Sequence, residues 1–213
     1  MTGQVLRNAA FGSNSSASIA TAQSGAVYRC AAPADLKQVP ARYTDVQTDR
    51  FLIRGVDRTQ MRTECRRIRR LVAAIVRGRV VTEVGSTAVR GVTGKQDLDF
   101  VVRVDAVDFA ETTDTLDGHF NRRSRQRSRP DRAAFDIPST FDATLHVIVA
   151  GCPDDNFETF TQALRDHSHL RFEYNDLKLK WHGRAMEEYR EQKRLFIQRV
   201  LGLAPPRCKP DGA

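Results

Sequence analysis

Apolar residues recur every three or four positions from Met61 to Ile75, and this period predicts an amphipathic helix. Asp57 or Thr59 can cap the start of the helix, because both side chains accept hydrogen bonds from free backbone N–H groups. Gly78 is expected to end it. The opposite side of the helix is rich in arginine, so one face is predicted to lie against a core and the other in solvent.

Three β-prone runs follow this helix, at residues 79–84, 97–104 and 140–149. Residues 105–117 are expected to begin a short helix between the second and third runs. Residues 121–132 carry six arginines, which cannot pack together in a core, so we interpret this span as a solvated loop that contacts anions secondarily.

Helical periods return in the last third of the chain. Asp154 or Asp155 can cap a helix that runs to His167, and two further helices are predicted at residues 171–181 and 184–201. The sequence therefore predicts an α+β protein, with a mixed β-sheet core flanked by helices and followed by C-terminal helices.

The domain organisation follows from these elements. Residues 1–50 are mostly small and polar with no sustained period, so we expect a variable, partly disordered N-terminal segment. One domain is expected at residues 51–204, with its core at 51–150 and its C-terminal helices at 154–201. Residues 205–213 are interpreted as a tail.

The bulk composition narrows the function. No apolar run approaches the roughly 20 residues of a membrane helix, so no membrane association is expected. Four cysteines lie far apart without a C-x-x-C pair, which argues against zinc and favours reduced thiols in a cytoplasmic protein. The net charge of +8 suits polyanionic ligands such as nucleotides or RNA.

The most informative chemistry lies between the first two predicted strands. Gly85-Ser86 follows the first strand, and Asp97-Leu98-Asp99 begins the second. Since side chains alternate along a strand, Asp97 and Asp99 are expected on the same face. Two adjacent carboxylates suit Mg²⁺, which proteins hold through one or two carboxylates and substrate phosphates. A Gly-Ser turn can offer N–H groups and a hydroxyl to those phosphates.

The order of Gly-Ser, a spacer and Asp-x-Asp resembles the nucleotidyltransferase superfamily related to DNA polymerase beta. The chain is more closely similar to the GrpB family of that superfamily, over roughly residues 51–201. It departs from the family pattern at several positions and is interpreted as a divergent member. The later positions that carry the likeness are Leu145-His146-Val147-Ile148, Glu173-Tyr174, Leu177-Lys178, Tyr189, Lys193, Phe196 and Val200-Leu201.

The resemblance implies a nucleotidyltransferase-like fold in which Asp97 and Asp99 bind one or two Mg²⁺ (or Mn²⁺) ions. It also implies a set of residues that contact the nucleotide. These are Gly85, Ser86, Thr87, Arg90, Lys95, Lys178 and Lys193.

Many enzymes of the superfamily use a third carboxylate on a later strand, and here the matching residue is open. By the period of two, Asp142, Thr144 and His146 share one face of the third predicted strand. His146 matches the family position better, whereas Asp142 is the acid on that face. Either residue is a candidate to complete the catalytic site.

Two functions remain from the sequence. The first is Mg²⁺-dependent transfer of an NMP from an NTP to an acceptor, which is a small molecule, an RNA or a protein. The alternative is a non-catalytic nucleotide- or RNA-binding module with the same fold. The pair of Asp97 and Asp99 favours the enzyme, and the unsettled third position favours the alternative.

Overall fold

A computed structural model of the protein describes residues 50–55, 57–123 and 129–202. Within these ranges the predicted strands join one sheet, together with two strands that the sequence did not predict. The strands are β1 (Thr82–Val84), β2 (Leu98–Val104), β3 (Asn121–Arg122), β4 (Arg132–Asp136) and β5 (Ala143–Val149).

The sheet is mixed, with the strand order β1-β2-β5-β4-β3. Strands β2 and β5 run parallel at its centre, and the other neighbours are antiparallel. The predicted α+β class and mixed sheet are confirmed. Because β2 lies between β1 and β5, its side chains are next to both of the other strands that carry predicted site residues.

Helix α1 (Arg58–Ile75) forms where the apolar period predicted it. The carboxylate of Asp57 accepts hydrogen bonds from the N–H groups of Thr59 and Gln60, at 2.9 and 3.1 Å, so Asp57 is the cap. The helix ends at Ile75 rather than at Gly78, which lies in the following turn at φ 77°.

Two layers of helices cover the sheet. Helix α1 and helix α2 (Phe109–Asp117) pack on one face, where Ile68 and Leu116 meet Leu98 and Phe100 of β2. Helix α3 (Phe157–Asp166) packs on the other face, where Phe157 contacts a smaller cluster that includes Val101. Alternation along β2 therefore places Asp97 and Asp99 on the α3 face, opposite α1.

The C-terminal helices α4 (Ser168–Trp181) and α5 (Met186–Val200) pack with α3 around a separate apolar cluster. Val89 and Val92, from the segment between β1 and β2, insert into the same cluster. This packing fixes the segment after the Gly-Ser turn against the C-terminal helices.

Two details of the prediction are wrong. Residues 121–132 are not a single loop, because β3 lies within this span and β4 begins at its last residue, Arg132. Residues 124–128 lie outside the described ranges. The arginines of residues 121–132 indicated a loop, so the sequence did not predict β4. The middle residues of this strand, Ala133, Ala134 and Phe135, are buried. Helix α3 is also not capped by Asp154 or Asp155; Asp155 instead accepts from the N–H of Gly151 at 2.8 Å.

No helix in the described ranges is both long enough and apolar enough to cross a membrane. The predicted N-terminal segment, except for Arg50, and the predicted tail lie outside the described residues. Their boundaries stay predictions.

Candidate functional site

The Gly-Ser turn lies directly against the second acid. In the antiparallel pairing of β1 with β2, Val84 is opposite Asp99, and the chain turns at the next residue, Gly85. Gly85 has a φ of 78°, and a Cβ built on it would lie 3.0 Å from Oδ2 of Asp99. Only glycine lets the backbone approach the carboxylate this closely without strain.

Asp97 precedes β2 and Asp99 lies within it, so both carboxylates meet at the start of one strand. Their side chains are 31% and 29% exposed, which leaves each one reachable from solvent. Lys95 Nζ lies 3.0 Å from Oδ2 of Asp97. Between them Gln96 adopts a φ of 71°, a conformation that costs a non-glycine residue about 1–3 kcal/mol and is common at functional sites.

The two carboxyl groups have opposite pKa shifts. Burial raises the pKa of Asp97, the charge of Asp99 adds to this rise, and Lys95 opposes it. Burial also acts to raise the pKa of Asp99, but the interaction with His146 and the positive charges of Lys193 and Arg123 outweigh it and lower the pKa. Asp99 is therefore the more firmly ionised acid, and a cation between the two would relieve their repulsion.

His146 lies behind Asp99 on β5. Its Nε2 is 3.7 Å from Oδ1 of Asp99, and its ring packs on Phe157 with centroids 4.7 Å apart. Burial lowers the pKa of His146, which favours the neutral imidazole at pH 7. The side chain is 4% exposed, so His146 can orient Asp99 but is itself shielded from solvent.

Helix α4 holds the segment between the Gly-Ser turn and the acids. Asn175 accepts from the N–H of Thr93 at 3.0 Å and donates to the carbonyl of Gly91 at 2.8 Å. Lys178 donates from Nζ to the carbonyl of Thr93. These bonds explain why the segment has a defined path despite its lack of regular structure.

Gly94 separates a hydroxyl from an amine. A Cβ built on Gly94 would lie 3.0 Å from Oγ of Ser86 and 3.4 Å from Nζ of Lys178. Lys178 is 1% exposed, and its Nζ lies 4.1 Å from the centroid of the Tyr174 ring. Burial, together with the charge of Lys193, places the pKa of Lys178 well below its ordinary value. The charge of Lys178 alone would suggest an exposed position, but the structure places the side chain inside the protein.

The remaining predicted nucleotide contacts differ in their surroundings. The Thr87 hydroxyl is buried and has no hydrogen-bond partner within the described ranges. Lys193 on α5 is close enough to the acids to lower the pKa of Asp99. Arg90 is exposed, and no ion pair to it occurs among the described residues.

Asp142, one of the two candidates for the third position of the site, has an unexpected partner. Asp142 lies just before β5 rather than within it, and its carboxylate accepts from the guanidinium of Arg123. Arg123 also donates to the hydroxyl of Thr144, which is the partner of Asp99 in the register of β2 and β5. Sequence reasoning missed Arg123, because it lies in the arginine run that predicted a solvated loop.

The donors present fit Mg²⁺ better than zinc. No group of three His, Cys, Asp or Glu side chains suited to a metal ion occurs in the described part of the chain. Asp97 and Asp99 supply two carboxylates, which is the number Mg²⁺ uses when substrate phosphates and water complete its coordination.

A mixed sheet with a Gly-Ser turn against an Asp-x-Asp strand defines an α+β protein with the motif arrangement that the sequence predicted. The family model of the GrpB protein matches residues 58–202. The chain belongs to the GrpB family, as its sequence motifs predicted. It is also 30% identical over 134 residues to a UPF0157 protein of Vibrio cholerae serotype O1, covering 62% of this chain and 71% of that protein.

A solved structure supports the fold of this assignment. The conserved protein GrpB from Enterococcus faecalis matches with a TM-score of 0.53 at 15% identity, over 67% of this chain and 93% of that chain. The Cid1 poly(U) polymerase bound to MgATP is similar with a TM-score of 0.42 at 15% identity, over 59% and 42% of the two chains.

Proposed function

We propose that this protein is a Mg²⁺-dependent nucleotidyltransferase that moves an NMP from an NTP to an acceptor hydroxyl. The observation that supports this most is the contact geometry of Gly85 with Asp99. It brings a turn suited to phosphate and an acid pair suited to a cation next to each other, which is what transfer from a triphosphate requires.

The residues around Gly94 are assigned to the triphosphate. The Ser86 and Thr87 hydroxyls donate to phosphate oxygens, and Lys178 supplies a positive charge once an anion enters its buried position. Lys193 and Lys95 add positive charge near the acid pair, Lys193 near Asp99 and Lys95 beside Asp97. Arg90, which is exposed, is assigned to the outer end of the nucleotide.

Asp97 and Asp99 are assigned as the carboxylates that hold Mg²⁺ or Mn²⁺, with His146 keeping Asp99 in place. A bound cation neutralises charge on the triphosphate and favours attack on phosphorus. In the transfer, an acceptor oxygen bonds to the α-phosphorus, the bond to the bridging α–β oxygen breaks, and pyrophosphate leaves. The hydroxyl proton is released to water.

The acceptor is a small molecule, an RNA or a protein, and we place the reaction in the cytoplasm. Incubation of the protein with each α-³²P-labelled NTP, Mg²⁺ and a cell extract tests the assignment. Label in one of these three fractions, and its absence with the Asp97→Asn/Asp99→Asn variant, is the expected result. Failure to release pyrophosphate or to label any fraction with all four NTPs would contradict the proposed transfer.

Adding a methyl group at Gly94 is expected to weaken nucleotide binding. In Gly94→Ala the new Cβ would crowd the Ser86 hydroxyl and the Lys178 amine, the two groups assigned to phosphate. We expect NTP affinity to fall about tenfold or more, which corresponds to the loss of one charge-assisted hydrogen bond of about 1.5–3 kcal/mol. Isothermal titration with a non-hydrolysable NTP measures this.

Gly55→Ala is the matched control for that change, because nothing lies within 4 Å of a Cβ at Gly55. Both variants add one methyl group at a glycine without a positive φ. Equal NTP affinities for the two variants would show that the groups beside Gly94 do not bind phosphate.

A row of arginines on α1 favours RNA binding as a second candidate function. Arg58, Arg62, Arg66 and Arg70 follow each other at i,i+4, and all are exposed. Within the described ranges none of them forms an ion pair. Such like-charged pairs destabilise a helix by about 0.2–0.5 kcal/mol each unless an anion lies across them. Their rise of about 6 Å per step is similar to the phosphate spacing of a nucleic-acid strand.

If this row binds RNA, removing its charge is expected to reduce the salt dependence of binding. For Arg62→Gln/Arg66→Gln/Arg70→Gln, the slope of log affinity against log salt should become shallower by about 2, at roughly 0.7 per phosphate contact. Fluorescence anisotropy with a single-stranded RNA measures the slope.

The control removes the same charge from α5, where each arginine already pairs with a glutamate. Its slope should stay close to the wild-type slope, and equal losses in both variants would reject a specific role for α1. The control variant is Arg190→Gln/Arg194→Gln/Arg199→Gln.

A further inference from the structure

Arg123 forms a bridge between three strands beside the acid pair. Its guanidinium donates to Asp142 and to Thr144, and its Nε lies 3.1 Å from Oδ1 of Asp136 at the end of β4. Its backbone N–H donates to the carbonyl of Ala134 at 2.8 Å, which fixes the position from which the side chain extends. The guanidinium is thus held by its partners in one orientation.

The bridge reaches the neighbourhood of Asp99. Thr144 is the register partner of Asp99, so the group that Arg123 contacts on β5 is one strand spacing away from the acid. Burial acts to lower the pKa of Arg123, but the charges of Asp142, Asp136 and Asp99 raise it. The same proximity contributes to the lowered pKa of Asp99. A permanent positive charge therefore lies near the carboxylate of Asp99.

We propose that Arg123 is a fixed cation of this site that withholds Asp142 from metal coordination, so that Asp97 and Asp99 alone bind a single divalent ion. This inference rests on the proposed function, since it concerns the ion of that reaction. In this account neither candidate for the third position, Asp142 or His146, is a ligand of the ion. Asp142 is bound to Arg123, and His146 lies behind Asp99 with little exposure.

Arg123 has a positioning role in this account, because it acts through Asp142 rather than on the substrate. A purely structural bridge would make a different prediction. It would require Arg123 for stability, but the metal affinity of the folded protein would not depend on whether Asp142 is free. Metal binding without nucleotide therefore separates the two roles.

Mn²⁺ binding to the full-length chain, followed by the electron paramagnetic resonance signal of free Mn²⁺, tests the proposal. The wild type is expected to bind one ion, and Asp99→Asn to lose it. Asp142→Asn should leave the affinity within about twofold, because Asp142 is not a ligand. Arg123→Gln should raise the affinity about tenfold or add a second site, because a carboxylate is released and a positive charge removed.

Two further variants identify the source of any gain. Arg123→Gln/Asp142→Asn should return to the wild-type affinity, since the released carboxylate is then missing. Arg123→Lys keeps the charge and should stay near the wild type. A melting curve for each variant shows that it is folded, and Asp142→Asn tests the proposal even if changes at Arg123 destabilise the protein.

Three outcomes would overturn the proposal. These are two ions in the wild type, a tenfold or larger loss of affinity in Asp142→Asn, or an unchanged affinity in folded Arg123→Gln. In each of them the proposed function survives, because Mn²⁺ still binds at the acids. If the wild type binds no Mn²⁺ at all, with or without an NTP, the proposed function fails together with this inference.

Discussion

Replacing Asp99 with asparagine is expected to reduce nucleotidyl transfer by about 10³-fold or more. Asp99 lies against the Gly-Ser turn, and its low pKa keeps it ionised at neutral pH. Asparagine keeps the size of the side chain but removes the charge that holds the cation. A bound cation contributes several kcal/mol to a phosphoryl transition state, and each 1.36 kcal/mol is a factor of ten in rate.

The release of pyrophosphate under single-turnover conditions measures this loss. Asp176→Asn is the matched control, since it makes the same change at an exposed acid on α4. It should retain the wild-type rate. Retention of more than a tenth of the activity by Asp99→Asn would show that the reaction does not depend on this acid.

Replacing Lys178 with methionine is expected to separate stability from function. Burial places the pKa of the Lys178 amine well below its ordinary value, so the folded protein holds this proton less firmly than the unfolded chain does. Methionine fills a similar volume without an amine that is costly to bury. We therefore expect the variant to be more stable than the wild type at pH 7, whereas its NTP affinity should fall about tenfold or more, as it loses a phosphate-binding charge.

The stability difference should depend on pH in a defined direction. Between the lowered pKa of Lys178 in the folded protein and the pKa of about 10.4 of the unfolded chain, lysine is protonated in the unfolded chain but not in the folded protein. The unfolded state then binds more protons, so the free energy of unfolding of the wild type rises with pH relative to the variant. The advantage of Lys178→Met should shrink from pH 7 to pH 9.5, by at most about 1.4 kcal/mol per pH unit.

Urea unfolding at several pH values measures the difference, and titration with a non-hydrolysable NTP measures the affinity. Lys180→Met, at an exposed position on the same helix, is the control and should show neither effect. A Lys178→Met variant that binds NTP as the wild type does would remove Lys178 from the phosphate site.

The part of the site that the sequence predicted is local along the chain. Gly85 and Ser86 follow β1, and Asp97 and Asp99 begin its antiparallel neighbour β2, so strand alternation and one turn bring them together. The burial of Lys178 was not predictable in the same way. It follows Tyr174 by one helical turn on the inner side of α4, and charge alone suggested an exposed position.

Arg123 shows why the rest was missed. Its partners Asp136, Asp142 and Thr144 come from β4, the turn before β5 and β5 itself, and β4 was not predicted. The arginine-rich composition of residues 121–132 indicated solvent for all of its members, although the strand pairing turns Arg123 toward the carboxylates. Contacts across several strands depend on the register of the sheet, which a single sequence does not state.

The central claim is that the Gly-Ser turn and the acid pair together bind a metal–NTP complex. The melting temperature of the full-length chain with each of ATP, CTP, GTP and UTP, with and without Mg²⁺ or Mn²⁺, tests it most directly. At a hundredfold excess over the dissociation constant we expect a rise of about 5 °C or more for one NTP with the metal. We expect no rise in Asp97→Asn/Asp99→Asn. The absence of a rise with any NTP and metal, or an equal rise in that variant, would contradict the account.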